Sequence, residues 1–132
     1  PHTIEEKANK YFKAPSGGPL VQHALPALFE AHEQGRISIE RIIEKACHAP
    51  AILFEIEKRG FIREGYFADL VVVEKSGWEV TKDNLLYKCG WSPFEGTKFQ
   101  YKVNTTLING IVVYETDQIV EAGPGQRLTF DR

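Results

Sequence analysis

The chain has 132 residues, with 16 Lys and Arg against 18 Asp and Glu, and its formal net charge is −2. That length suits one ordinary domain or a piece of a larger one. The near-neutral balance gives no electrostatic reason to expect a nucleic acid or an anionic membrane as a partner. No apolar run approaches the roughly 18 residues of a membrane span, and the charged N-terminus lacks the apolar core of a signal peptide.

Cysteine and methionine usage adds two expectations. Cys47 and Cys89 are far apart and form neither a disulfide framework nor a C-x-x-C site, which favours reduced thiols in a cytoplasmic protein. The chain begins at Pro1 and contains no Met, so we expect it to be a piece of a longer protein whose beginning has been removed.

The first third of the chain predicts two helices separated by a loop. Thr3 and Glu6 have the spacing of a capping box, which predicts a brief helical turn. The stretch Pro15–Pro19 cannot be a helix interior, and its glycines leave backbone N–H groups open to a ligand. From Leu20 onward the apolar residues return at helical spacing, and Pro26 should kink that helix or mark a restart.

A second helical region follows from residue 38. Ser38 can cap a helix whose apolar positions predict one buried stripe, formed by Ile39, Ile42, Ile43, Ala46 and Cys47. Pro50 suits the first turn of another short helix. Gly60 is predicted to end that helix as a C′ glycine.

The second half of the chain is predicted to be mostly β-structure. Ala68–Val73 is a β-branched run typical of a buried strand. The segment Trp78–Lys88 fits either a strand or a loop. Asn109-Gly110 is the strongest signal for a β-hairpin turn. Further along the chain, short strands are predicted at Ile119–Val120 and Leu128–Phe130, and a loop is predicted at Gly123–Gly125.

The histidines offer little catalytic chemistry of their own. His23 and His32 lack the i, i+4 spacing that would let two rings share a metal, so each is interpreted as a packing or surface residue. His48 follows Cys47, but adjacent helical residues point in different directions, which disfavours a catalytic pair. Without an H-x-H, an H-E-x-x-H or a carboxylate cluster, the sequence predicts no metal site within this chain.

Two segments of the β half resemble cyclic amidohydrolases. The stretch RGFIREGYFADLVVVE resembles the motif that joins the catalytic barrel to a small β-sandwich in that superfamily, matching at Gly60, Ile62, Gly65, Ala68, Asp69, Leu70, Val71 and Val72. SPFEGTKFQYKVNTTLINGIVVYE resembles the closing hairpin, matching at Pro93, Phe94, Gly96, Val103, Thr106, Gly110, Val113 and Tyr114. The resemblance implies an α+β chain, with the terminal loop and last helices of a (β/α)₈ TIM barrel in residues 1–58 and part of a β-sandwich in residues 59–132.

The N-terminal segment narrows the resemblance to dihydroorotases. PHTIEEK followed by KAPSGG is similar to the region after the last barrel strand of that family. The resemblance implies that His2 binds the substrate carboxylate and that Ser16 and Gly17 offer backbone N–H and C=O groups to the ring amide. The chain departs from the family pattern at Gly18–Gln22, so the family's side-chain contacts beyond Gly17 do not transfer.

The same resemblance implies a reaction, a cofactor and partners. It implies the metal-dependent interconversion of N-carbamoyl-L-aspartate and (S)-dihydroorotate in pyrimidine biosynthesis. The catalytic Asp and the zinc ligands of the family would lie upstream of Pro1, so we expect no catalytic or metal-binding residue here and no activity from this chain alone. The implied partners are the small-molecule substrate and the remaining portion of the same protein, with a homo-oligomer left open.

Two alternatives remain open at this point. One is another cyclic amidohydrolase, such as a hydantoinase or an allantoinase, which shares the architecture and acts on another ring. The other is a non-catalytic dihydroorotase-like assembly subunit. His2 itself has the alternative of a terminal residue without a fixed position. In either case a piece of a barrel with part of a sandwich should expose a large apolar face.

Overall fold

The computed structural model describes residues 2–120, 123 and 125–131, and it has an α+β architecture. The helices are α1 (Ile4–Lys7), α2 (Val21–Glu33), α3 (Ile39–Ile43) and α4 (Ala49–Leu53), with a π-helical segment at Glu44–His48 and a 3₁₀ turn at Lys82–Asn84. The strands are β1 (Leu70–Glu79), β2 (Lys98–Ile108), β3 (Ile111–Glu115) and β4 (Gln118–Ile119). They form one antiparallel sheet in sequence order.

Both predicted helix caps are confirmed. The Glu6 N–H donates to Thr3 Oγ1 at 3.3 Å and the Thr3 N–H donates to Glu6 Oε2 at 2.8 Å, which is the reciprocal capping box at the start of α1. At α3, the Arg41 N–H donates to Ser38 Oγ at 3.2 Å. Helix α2 does not restart at Pro26, whose ring lies buried inside one helix.

The region predicted to be two helices is one continuous helical run from α3 to α4. Its middle widens into the π-helical segment, which ends at His48, two residues before Pro50. A proline ring in a regular α-helix would clash with the carbonyl four residues earlier, here that of Ala46, and a wider turn relieves that clash. The π-helical turn therefore lets the helix pass through the proline.

The predicted role of Gly60 as the C′ residue is wrong. Helix α4 ends earlier, with Glu55 in the left-handed region at φ 54°. The Ile56 N–H donates to the Ala51 carbonyl at 2.9 Å and the Glu55 N–H to the Ile52 carbonyl at 3.2 Å, which is a Schellman cap.

Gly60 has a different structural role. It also has a positive φ, 78°, and an added Cβ would lie 2.7 Å from the Cys47 carbonyl oxygen and 2.4 Å from the Ala51 Cβ. The chain passes so close to the helical run that only glycine fits this position.

A partly buried ion pair connects the segment before the sheet to the β2–β3 turn. The Arg59 guanidinium donates to Asp69 Oδ2 and, at 2.8 Å, to Asn109 Oδ1. The other Asp69 oxygen accepts the Asn109 N–H at 2.8 Å, and the Gly110 N–H donates to the Ala68 carbonyl at 2.9 Å. The predicted Asn-Gly hairpin is confirmed, with both turn residues at positive φ, and Asp69 holds it in place.

The predicted burial of two apolar runs is confirmed at Ile42, which is 2% exposed, and is wrong at several other positions. Val71 and Val72 of β1 are 45% and 50% exposed, and Ile43 and Cys47 of the helical run are also exposed. The reason is that β1 is the first strand of a single sheet, whereas such a run is buried only where other layers cover both faces. Nineteen large apolar side chains are exposed among the described residues, and the predicted large apolar face stays a prediction.

The remaining elements refine the β half. Strand β1 extends to Glu79, so the ambiguous segment begins as a strand and ends as 3₁₀ turn and loop. Within the described residues there is one sheet. A second layer of the sandwich, and the boundary between the barrel segment and the sandwich near residue 58, stay predictions. Phe130 pairs with Ile56 after α4 instead of forming an edge strand of the sheet. Glu121, Ala122 and Pro124, which adjoin or interrupt the predicted Gly123–Gly125 loop, lie outside the described residues.

Candidate functional site

The three residues predicted to contact substrate line one cleft. His2, Ser16 and Gly17 border a cavity of about 700 Å³, together with Lys7, the start of α2, and the loop that carries Tyr87 and Trp91. Its walls are mainly apolar, and its polar side chains come both from the N-terminal segment and from Gln22, Tyr87 and Trp91. A cavity of this size is large enough for a small ring compound.

His2 has contacts at both its ring and its backbone. Its Nδ1 lies 3.2 Å from Glu6 Oε2, the same carboxylate oxygen that accepts the Thr3 N–H in the capping box. Its carbonyl accepts the Trp91 indole N–H at 2.8 Å, from a residue 89 positions away. His2 therefore contacts both α1 and the loop that carries Trp91.

The loop that carries Ser16 and Gly17 is held by a lysine. The Lys7 ammonium group, at the end of α1, donates to the carbonyls of Pro15 and Gly17. Gly17 adopts φ 82°, and an added Cβ would meet no atom within 4 Å, so glycine is needed there for its backbone angle alone.

The opposite wall is fastened to the start of α2 by Gln22. Its N–H donates to the Tyr87 hydroxyl at 2.7 Å. Its side-chain amide donates to the Asn84 carbonyl and accepts the Leu86 N–H, each at 2.8 Å. The sequence departs from the family pattern in this segment, and here Gln22 joins the helix to the β half.

A fully buried histidine lies behind this wall. His23 packs among Trp78, Tyr87, Phe94 and Phe99, with ring centroids 5.6 to 6.3 Å away. Its Nδ1 lies 3.1 Å from Ser92 Oγ, whereas its Nε2 has no hydrogen-bond partner among the described residues. Burial lowers the pKa of His23, because the charged imidazolium would lose its water. The prediction that His23 is a packing residue is confirmed.

The other histidines and the cysteines form no site. His32 Nδ1 contacts the Ile37 carbonyl at 3.0 Å, and His48 stacks on Phe61 with ring centroids 4.3 Å apart. Within the residues that the structure describes, no three His, Cys, Asp or Glu side chains come together in a way that could hold a metal ion. No helix in that part of the chain is long and apolar enough to cross a membrane.

Three further residues that line the cleft were not predicted from the sequence: Lys7, Tyr87 and Trp91. Lys7 belongs to the same E-E-K stretch that carries the resemblance, so its position beside the loop had a local signal. Tyr87 and Trp91 come from the β half, and no sequence pattern indicates that they contact Gln22 and His2.

Comparison with known proteins assigns most of the chain to one family. A family model described as "Amidohydrolase family" matches residues 15–113. The dihydroorotase of Pyrococcus furiosus is 37% identical over 129 residues, which are 97% of this chain and 30% of that protein. The dihydroorotase of Halobacterium salinarum is 39% identical over 120 residues, 90% of this chain and 28% of that protein.

The fold has relatives among solved structures. The crystal structure of D-hydantoinase from Bacillus sp. AR9 superposes with a TM-score of 0.78 at 27% identity, covering 98% of this chain and 30% of that one. This chain therefore spans about 30% of the length of the curated relatives named above.

Proposed function

This chain belongs to the amidohydrolase family, and we propose that it is the substrate-orienting, C-terminal part of a dihydroorotase. The reaction is the reversible hydrolysis of the ring amide of (S)-dihydroorotate, in which one water is added and N-carbamoyl-L-aspartate is formed. A role in pyrimidine biosynthesis and a cytoplasmic location follow from the same proposal.

One observation carries this proposal. His2, Ser16 and Gly17, which the dihydroorotase motifs single out, border a single cleft together with the cationic Lys7. An imidazole that donates a hydrogen bond or carries a charge is a suitable partner for a carboxylate. Backbone N–H groups of a loop suit the carbonyl oxygens of a cyclic imide. Holding both ends of the substrate would fix the scissile amide in one orientation, which contributes to rate by proximity.

The zinc that the family implies does not fit the residues described here. Since no cluster of suitable donors exists among them, no step of the reaction is assigned to a metal in this chain. A bound metal would supply an activated hydroxide and polarise the amide carbonyl. Its ligands, and the catalytic Asp, are proposed to lie in the portion of the protein that precedes Pro1.

A hydantoinase is the second candidate, and the similarity to D-hydantoinase favours it. Dihydroorotate carries a ring carboxylate, whereas dihydrouracil is the same ring without that carboxylate. The placement of His2 at the border of the cleft suits an anionic substrate. This chemistry favours dihydroorotate over an uncharged ring.

The test is an assay of the full-length protein that contains this chain, with its zinc content measured beside it. The proposal predicts bound zinc and hydrolysis of dihydroorotate with a kcat/KM at least about tenfold above that for dihydrouracil or hydantoin, from one charge-assisted hydrogen bond. A preference for the uncharged rings would assign a hydantoinase. A folded protein with neither zinc nor turnover would identify a non-catalytic assembly subunit. Sedimentation of the same sample would settle whether a homo-oligomer forms.

A further inference from the structure

We propose that Lys7 is a positioning residue that sets the conformation of the substrate loop, here defined as residues 15–18. This inference rests on the proposed function, and it assigns a role to a side chain that does not itself need to touch the substrate. The structural basis is the pair of hydrogen bonds from the Lys7 ammonium group to the carbonyls of Pro15 and Gly17.

The substrate loop is held in place by Lys7. Among the described residues, these two bonds are the only hydrogen bonds made by residues 15–18. The loop contains two glycines and belongs to no helix or strand, so its backbone has many accessible conformations. An ammonium group carries three donors, and here two of them join carbonyls that flank a single residue, Ser16. Lys7 therefore fixes the backbone on both sides of Ser16.

The substrate loop has backbone N–H groups that a ligand could use. With the Pro15 and Gly17 carbonyls bound to Lys7, the N–H groups of Ser16, Gly17 and Gly18 have no hydrogen-bond partner among the described residues. These three residues border the cleft, so their N–H groups are available to a ligand there, and such donors suit the carbonyl oxygens of a cyclic imide.

Helix α1 links the substrate loop to His2. Lys7 and the Glu6 carboxylate are neighbours on α1, and Glu6 binds His2 while Lys7 binds the loop. The capping box fixes the start of that four-residue helix. One short helix therefore sets the spacing between the proposed carboxylate contact and the proposed ring contacts. This arrangement pre-organises both contacts before the substrate binds.

The test uses two substrates that differ in one group. In the full-length protein, Lys7→Met keeps most of the side-chain volume and removes the donors. If Lys7 positions the loop, its loss weakens binding of the ring itself, so KM should rise about tenfold for dihydroorotate and for dihydrouracil alike. Lys7→Arg retains N–H donors and should recover part of the loss. Lys10→Met is the matched control, because Lys10 is an exposed lysine three residues away, and it should leave both KM values unchanged.

Two outcomes would overturn the inference. A rise in KM for dihydroorotate alone would mean that Lys7 pairs directly with the carboxylate. Equal KM values for Lys7→Met and Lys10→Met would mean that the loop does not depend on Lys7. If the unaltered protein hydrolyses neither ring, the proposed function fails, and a crystal structure of Lys7→Met still decides the inference: a displaced residue 15–18 backbone supports it and an unchanged one overturns it.

Discussion

Replacing Asp69 by Ala should loosen the β2–β3 hairpin, because Asp69 joins Arg59 to the turn. The Arg59 side chain is 10% exposed and that of Asp69 is 33% exposed, so the substitution leaves a mostly buried guanidinium without its carboxylate. The turn also loses the acceptor of the Asn109 N–H. Removing one member of a buried pair costs about 3 to 5 kcal/mol.

That cost is reduced here, since Arg59 keeps its bond to Asn109 Oδ1 and its place 4.2 Å from the centre of the Phe67 ring. The partial exposure of Asp69 reduces it further. We therefore expect about 2 to 3 kcal/mol for opening of the turn.

Hydrogen exchange at the Gly110 amide measures this local opening, because that amide donates to the Ala68 carbonyl in the native turn. The expected cost corresponds to exchange about 30- to 150-fold faster than in the unaltered chain. Asp83→Ala, at an exposed carboxylate in the 3₁₀ turn, is the matched control and should change the rate little. If both variants exchange within about threefold of each other, the assignment of Asp69 as the residue that holds the hairpin is refuted.

Three further perturbations test other parts of the structure. Gly60→Ala should destabilise the fold by about 2 kcal/mol or more, because its Cβ would lie 2.7 Å from the Cys47 carbonyl oxygen. Gly77→Ala is the control, because a Cβ at that position meets nothing within 4 Å. The melting temperatures of the two variants measure the difference. Burial lowers the pKa of His23 from 6.5, so the contribution of His23 to stability is complete above pH 6.5 and is lost as the pH falls below 6.5. His23→Gln should therefore make the melting temperature less dependent on pH in that range. Trp91→Phe removes the indole donor to the His2 carbonyl, and it should raise KM for dihydroorotate about three- to tenfold in the full-length protein.

Each of these predictions has a contradicting result. Equal melting temperatures for the two glycine variants would mean that the helical run moves away from residue 60 without cost. An identical loss of stability on acidification with and without His23 would place the responsible group elsewhere. An unchanged KM in Trp91→Phe would show that the indole contact does not position His2.

Local sequence signals predicted the local structure well. The capping box at Thr3, the cap at Ser38 and the Asn109-Gly110 turn depend on residues at most three positions apart, and all are confirmed. In each case the side chain or the backbone angle acts on its own neighbours, so the sequence pattern holds the whole cause.

Features that depend on distant parts of the chain could not be predicted. Burial of Val71 and Val72 requires layers that the residues themselves do not specify, and both are exposed. The role of Gly60 follows from the path of the chain past the helical run. The bond from Trp91 to His2 joins residues 89 positions apart, and no spacing rule contains that information.

The candidate site was predictable in part. His2, Ser16 and Gly17 were identified through a resemblance, and they border one cleft. Their roles toward a substrate stay predictions. The contacts of Lys7 and Gln22 shape the cleft, but they could not be predicted from the sequence. A lysine or a glutamine near a loop has many alternative partners, including water.

The most direct test of the central claim measures whether His2 recognises the substrate carboxylate. In the full-length protein, the ratio of kcat/KM for dihydroorotate to that for dihydrouracil is compared between the unaltered chain and His2→Ala. If His2 binds the carboxylate, the ratio should fall about tenfold or more, because only dihydroorotate loses a contact. A ratio that is the same in both proteins would contradict the assignment of His2 to substrate binding.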